Sequence, residues 1–119
     1  MAGSGNTGLK RLARAVQYSW QGFRAAYRHE EAFRQESWAL LAAVPLALWL
    51  GPGALEKALM IGSVLLVMVV ELLNSAIEAV VDRAGSEHNL LSGRAKDMGS
   101  AAVSLAIANA VMIWIFLLA

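Results

Sequence analysis

The chain has 119 residues, of which 58% are hydrophobic and 16% charged, with a formal net charge of +1. A soluble domain carries roughly a quarter charged residues, so this balance points to a membrane protein. No cysteine is present, which excludes disulfide stapling and zinc–thiolate chemistry.

Residues 1–8 are rich in Gly, Ser, Asn and Thr and read as a flexible N-terminus, without the basic-then-apolar pattern of a cleaved export signal. Residues 9–119 read as a single membrane domain. Over about 9–29, Leu9, Leu12, Ala13, Val16, Trp20 and Phe23 recur at helical spacing, with Lys10, Arg14, Gln17, Gln21, Arg24 and Arg28 largely elsewhere around the helix. This pattern predicts an amphipathic helix lying in the bilayer surface, the alternative being a helix packed on the rest of the protein. A first span is expected over about 33–50, with Trp38 and Trp49 as interfacial anchors and Pro45 as a kink site. Gly51, Pro52 and Gly53 then mark a tight loop between antiparallel helices. A second span is expected over about 55–82 and a third over about 94–118. The third is rich in Gly, Ala and Ser, which permit close helix contact. The expected fold is therefore all-α and integral to the membrane, with three transmembrane helices plus the N-terminal surface helix.

Positive charge is unevenly distributed. Lys10, Arg11, Arg14, Arg24, Arg28 and Arg34 precede the first apolar run, and Arg83, Arg94 and Lys96 lie around the loop between the second and third spans, against Lys57 alone after Pro52. The positive-inside rule puts the N-terminus in the cytoplasm and the C-terminus in the periplasm. Within the second span, Glu71, Asn74 and Glu78 are spaced to share one helix face, the carboxylates about 10 Å apart along the axis. Carboxylates in such a stretch are costly and mark a metal or proton site by default. Glu30, Glu36, Glu78, Asp82, Glu87, His88, Lys96 and Asp97 gather at the cytoplasmic side, with Glu71 about two turns deeper. Such a cluster suits a phosphorylated cytoplasmic molecule, since magnesium takes one or two carboxylates plus phosphate oxygens and a lysine stabilises a transferring phosphoryl group. No Walker-type phosphate loop or soluble protein-kinase motif occurs. Lys96 at the start of the third span opposes the helix dipole, which tilts it toward function, while Asp97 is favoured there. Three thin spans enclose little volume, so a site shared between subunits is expected.

The run Glu71-Leu72-Leu73-Asn74-Ser75-Ala76-Ile77-Glu78-Ala79-Val80-Val81-Asp82, followed by Arg94-Ala95-Lys96-Asp97-Met98-Gly99-Ser100-Ala101-Ala102, closely resembles the bacterial integral membrane diacylglycerol kinases. Tyr18-Ser19-Trp20 with Gly22, then Glu30 and Phe33-Arg34-Gln35-Glu36, match as well. The resemblance implies a homotrimer in the bacterial inner membrane that uses Mg2+ and ATP to phosphorylate diacylglycerol to phosphatidate by direct in-line transfer. It implies Glu71 as the catalytic base and Glu30 and Glu78 as metal ligands. It also implies ATP binding by Arg11, Tyr18, Glu30, Glu78, Glu87, His88, Asn89, Lys96 and Asp97, with Glu36, Asn74 and Ser100 near the lipid substrate or supporting it. No nucleic-acid partner is expected. The nearest rival is a kinase for an isoprenoid alcohol such as undecaprenol, from the Gram-positive branch. A small transporter would need carboxylates reachable from both faces, whereas the charge here lies mostly on one.

Overall fold

A computed structural model describes residues 7–84 and 89–119. The chain forms four helices, α1 (Gly8–His29), α2 (Glu31–Leu50), α3 (Ala54–Arg83) and α4 (Leu90–Leu118). Thr7 caps α1, its hydroxyl accepting from the Lys10 N–H at 3.4 Å. Along α1 the stripe of Leu9, Leu12, Val16 and Trp20 is exposed, and Ala26 is the buried residue of the helix.

Glu30, in extended conformation, is the one residue separating α1 from α2. α2 continues as one helix through Pro45 to Leu50, with Gly51 as its C-cap. A Cβ on Gly51 would lie 2.6 Å from Lys57 Cγ and 2.7 Å from the Ala47 carbonyl oxygen, so the tight loop into α3 requires glycine there. α2 and α4 both pack on α3. Where helices meet, the buried positions are mostly small, as with Ala43, Ala47, Ser63, Gly99 and Ala106, which lets the backbones approach closely. The fully buried Met60 anchors the end of α3 nearer its N-terminus. Its carbonyl oxygen accepts from Trp114 Nε1–H at 3.0 Å and from the Ser63 hydroxyl at 2.7 Å, tying α4 to α3.

The expectation of three spans plus a separate surface helix is corrected by this architecture. Among the described residues, only α3 and α4 are long and apolar enough to cross a membrane. α2 has 20 residues, but Glu31, Arg34, Gln35 and Glu36 occupy its first turns. The uncharged remainder, 37–50, measures about 21 Å along the axis, short of the roughly 30 Å hydrocarbon core. The fold is thus all-α with four helices, two of them of span length. α4 also begins at Leu90, a turn before the expected start near Arg94. On the outer surfaces of α3 and α4, Leu55, Leu65, Leu73, Leu105, Ile115 and Phe116 are exposed, a surface that lipid covers rather than water.

Candidate active site

The site is built on the face of α3 that meets α2 and α4. Glu71 is 7% exposed, placed there by its helical register with the buried Met60, Ser63 and Val67. One turn on, Asn74 Nδ2 donates to Glu78 Oε1 at 3.0 Å, which orients that carboxylate. Asn74 also packs directly on Gly99 of α4. A Cβ at Gly99 would overlap the Asn74 side chain, lying 3.1 Å from its Cγ. Asn74 Oδ1 is buried without a hydrogen-bond donor, and so is Glu36 Oε1 on α2.

Glu36, on α2 and outside the two spans, faces Glu71 within hydrogen-bond reach. Burial, followed by the charge of Glu71 and the hydrogen bond with it, pushes the Glu36 carboxyl up to about 7. Two carboxylates offer only acceptors to each other, so their contact requires a proton between them. At the α1–α2 corner, the Ser75 hydroxyl donates to Glu30 Oε1 at 2.9 Å. Ser75 and Glu78 are three residues apart on α3 and therefore neighbours on its surface, which brings Glu30 to within about a helical turn of Glu78. A cleft of about 430 Å³ opens beside Glu30, between α1 and α3, lined by Gly22, Ala26, His29, Leu72 and Ser75 among others.

Farther along α3, Lys96 Nζ lies 2.8 Å from Asp82 Oδ1, both groups open to solvent. Because α4 starts at Leu90, Lys96 stands beyond the first turn, and the expected opposition to the helix dipole does not arise. Asp82 is what holds it. Asn89 caps α4, its Oδ1 accepting from the Leu91 and Ser92 N–H groups at 2.9 and 3.1 Å. Asp97 and Ser100 are exposed on α4, as are Arg11 and Tyr18 on α1. Glu87 and His88 lie outside the described residues. Sequence reasoning does not single out Ser75, although it lies inside the Glu71–Asp82 motif. A hydroxyl among spaced carboxylates is the signal that points to it.

Among the described residues no three His, Asp or Glu side chains converge into a metal site. Glu30 and Glu78 nevertheless suit a hard divalent cation. In each, a neutral donor engages Oε1 and leaves the other oxygen available, and magnesium commonly takes only one or two carboxylates when phosphate supplies the rest. Apolar helices of span length, a buried Glu71 faced by the half-buried Glu36, and a more exposed set of carboxylates with a lysine suit a membrane enzyme that brings an apolar substrate to a phosphorylated one.

Comparison with known proteins gives the same class a family. The family described as prokaryotic diacylglycerol kinase matches residues 17–118. The chain is 61% identical to the diacylglycerol kinase of Escherichia coli K12 over 112 residues, covering 94% of this chain and 92% of that protein. It is 50% identical to the diacylglycerol kinase of Haemophilus influenzae, covering 91% and 92% of the two chains, and 50% identical to that of Pseudomonas aeruginosa, covering 92% and 89%. The chain belongs to the prokaryotic diacylglycerol kinase family. With its two span-length helices, it is a multi-pass protein of the bacterial inner membrane.

Proposed function

We propose that Glu71 is the general base of an ATP-dependent diacylglycerol kinase and that Glu30 and Glu78 serve the nucleotide side of the same site. The enzyme transfers a phosphoryl group from ATP to the hydroxyl of diacylglycerol, giving phosphatidate. A hydroxyl is a weak nucleophile at neutral pH, so a carboxylate within hydrogen-bond reach must take its proton as attack proceeds. Glu71 is placed for this. It is buried on a span-length helix, about two turns inside Glu78 along the axis, on the side from which a lipid substrate would approach. Glu36 faces the Glu71 carboxyl from α2 within hydrogen-bond reach and helps to fix its position. Asn74 holds Glu78 in one orientation, and Ser75 does the same for Glu30. Magnesium held by Glu30 and Glu78 would neutralise charge on the phosphates. Lys96, kept in place by Asp82, supplies positive charge at the exposed end of the array.

The separation in depth between Glu71 and Glu78 carries this division of labour. Arg11 and Tyr18 stand exposed in the single chain, which fits nucleotide contacts completed in a homotrimer with sites shared between subunits. The site end of α3 adjoins Arg83, Arg94 and Lys96, and Glu30 is bonded to Ser75 near the same end, which supports a cytoplasmic N-terminus and site with Ala119 in the periplasm.

Titration of magnesium-ATP into detergent-purified variants, together with transfer of labelled phosphate to diacylglycerol in mixed micelles, tests the assignment. Glu71→Gln should abolish transfer yet leave magnesium-ATP affinity within about threefold of the parent, the pattern of a lost transition-state interaction. Glu78→Gln should cut activity at least ~100-fold and weaken nucleotide binding as well. Equal loss of nucleotide binding in both variants would make Glu71 a metal ligand or an assembly residue. Undecaprenol, offered in place of diacylglycerol, is expected to be a poor acceptor.

A further inference from the structure

The corner between α1 and α2 is held by a side chain that the reaction as described does not use. A helix leaves its last carbonyl groups without intrahelical partners, and the C-terminal end carries partial negative charge. At the end of α1, the Glu30 N–H donates to the Ala26 carbonyl at 2.9 Å. Arg34, one turn into α2, reaches back across the break, and its Nη1 donates to the carbonyls of Tyr27 at 2.9 Å and Arg28 at 3.0 Å. The Arg34 backbone N–H donates to the Glu30 carbonyl at 3.2 Å. Glu30 is therefore fixed through its own N–H and C=O, while Arg34 ties the residues just before it to the helix just after it. The reach is possible because Glu30 is extended, at φ −116° and ψ 107°, which folds α2 back toward the end of α1. Glu30 gives α2 no side-chain cap. Its carboxylate is turned instead to Ser75 at 2.9 Å.

We infer that Arg34 is a positioning residue, which sets the angle of the α1–α2 corner and thereby holds the Glu30 carboxylate against Ser75 at the nucleotide side of the site. The inference rests on the reading of Glu30 as a group that serves magnesium-ATP. Charge-assisted bonds from one guanidinium nitrogen to two carbonyls are strong, and lysine keeps the charge but not the planar, pre-organised guanidinium that holds Nη1 between them. A carboxylate displaced by about 1 Å at such a site costs up to roughly 100-fold in rate, and loss of one of its two restraints should cost less. Arg34→Gln should lower kcat/KM for magnesium-ATP about tenfold, with the KM for diacylglycerol within about twofold of the parent. Arg34→Lys should fall between the parent and Arg34→Gln.

The decisive comparison is a double-mutant cycle with Glu30→Gln, read as labelled-phosphate transfer across a magnesium-ATP series, with oligomeric state checked in detergent. If Arg34 acts through Glu30, Arg34→Gln adds less than about twofold to the loss already caused by Glu30→Gln, because coupled residues are non-additive. A full tenfold further loss in the Glu30→Gln background overturns the inference and makes Arg34 a direct contact or a general stabiliser. Parent-like kinetics in Arg34→Gln overturn it equally. Glu30→Gln that keeps parent kinetics is a different result, since it removes Glu30 from the nucleotide site and the inference with it. Should Arg34→Gln fail to assemble, Arg34→Lys takes its place in the same cycle, where non-additivity with Glu30→Gln supports the inference and additivity overturns it.

Discussion

Gly99→Ala tests whether the contact between α3 and α4 organises the carboxylates. The added methyl would overlap the Asn74 side chain and lie 3.1 Å from its Cγ, closer than packed carbons tolerate. Asn74 is a short side chain rather than backbone, so the least costly response is for its amide to rotate away. That rotation breaks the 3.0 Å bond from Nδ2 to Glu78 Oε1. A hydrogen bond to a charged group contributes about 1.5–3 kcal/mol. If that orienting energy is expressed in the transition state, its loss corresponds to about 10- to 150-fold in rate. Thermal unfolding in detergent should report a smaller effect, about 1–2 kcal/mol of overpacking. The control is the double variant Asn74→Ala/Gly99→Ala, in which the methyl occupies space vacated by the amide. Its activity should equal that of Asn74→Ala alone, and its stability should recover toward that single variant. Parent-like activity in Gly99→Ala would refute the reasoning, as would a double variant much less active than Asn74→Ala.

Two further variants separate structure from chemistry. Asn89→Ala removes the cap of α4 and should cost about 1 kcal/mol in thermal unfolding, with Asn89→Ser restoring it. A loss of magnesium-ATP kcat/KM that Asn89→Ser does not restore would add a nucleotide contact to the cap. Trp114→Phe deletes the Nε1–H bond to the Met60 carbonyl and should cost about 1 kcal/mol of stability with diacylglycerol kinase activity within about twofold, because Met60 lies about three turns from Glu71 along α3.

The all-α class and the shared face of Glu71, Asn74 and Glu78 are legible in the sequence because helical periodicity depends on local spacing alone. The start of α4 is less so, because the charges at Arg94 and Lys96 mimic the end of a membrane-facing helix, whereas Asn89 followed by Leu90 and Leu91 is the capping signal. Moving that start to Leu90 also removes the dipole argument for Lys96, whose partner Asp82 sits on another helix. Contacts between helices do not follow from spacing. The bonds from Ser75 to Glu30, separated by 45 residues, and from Trp114 to Met60, separated by 54, depend on how helices dock. The small residues of α4 do permit close approach, as their composition implies, but which one meets Asn74 follows only from the packing of α4 on α3.

The failure of α2 as a third span and the assembly of the site have one cause. A helix built only to cross lipid would carry apolar residues throughout, and α2 does so from Ser37 onward. Its first turns instead hold Glu31, Arg34 and Glu36, following Glu30 at the corner. Glu30 reaches Ser75, Glu36 reaches Glu71, and Arg34 binds the end of α1, so three of these four charges make contacts at the candidate site or at the corner beside it. The buried Phe33 lies on the same stretch and gives it an apolar anchor. Polar residues that shorten the apolar run thus bring to α3 the carboxylates that its own sequence lacks. Replacing them with leucine would lengthen the apolar run of α2 and leave Glu71 without the carboxyl that faces it.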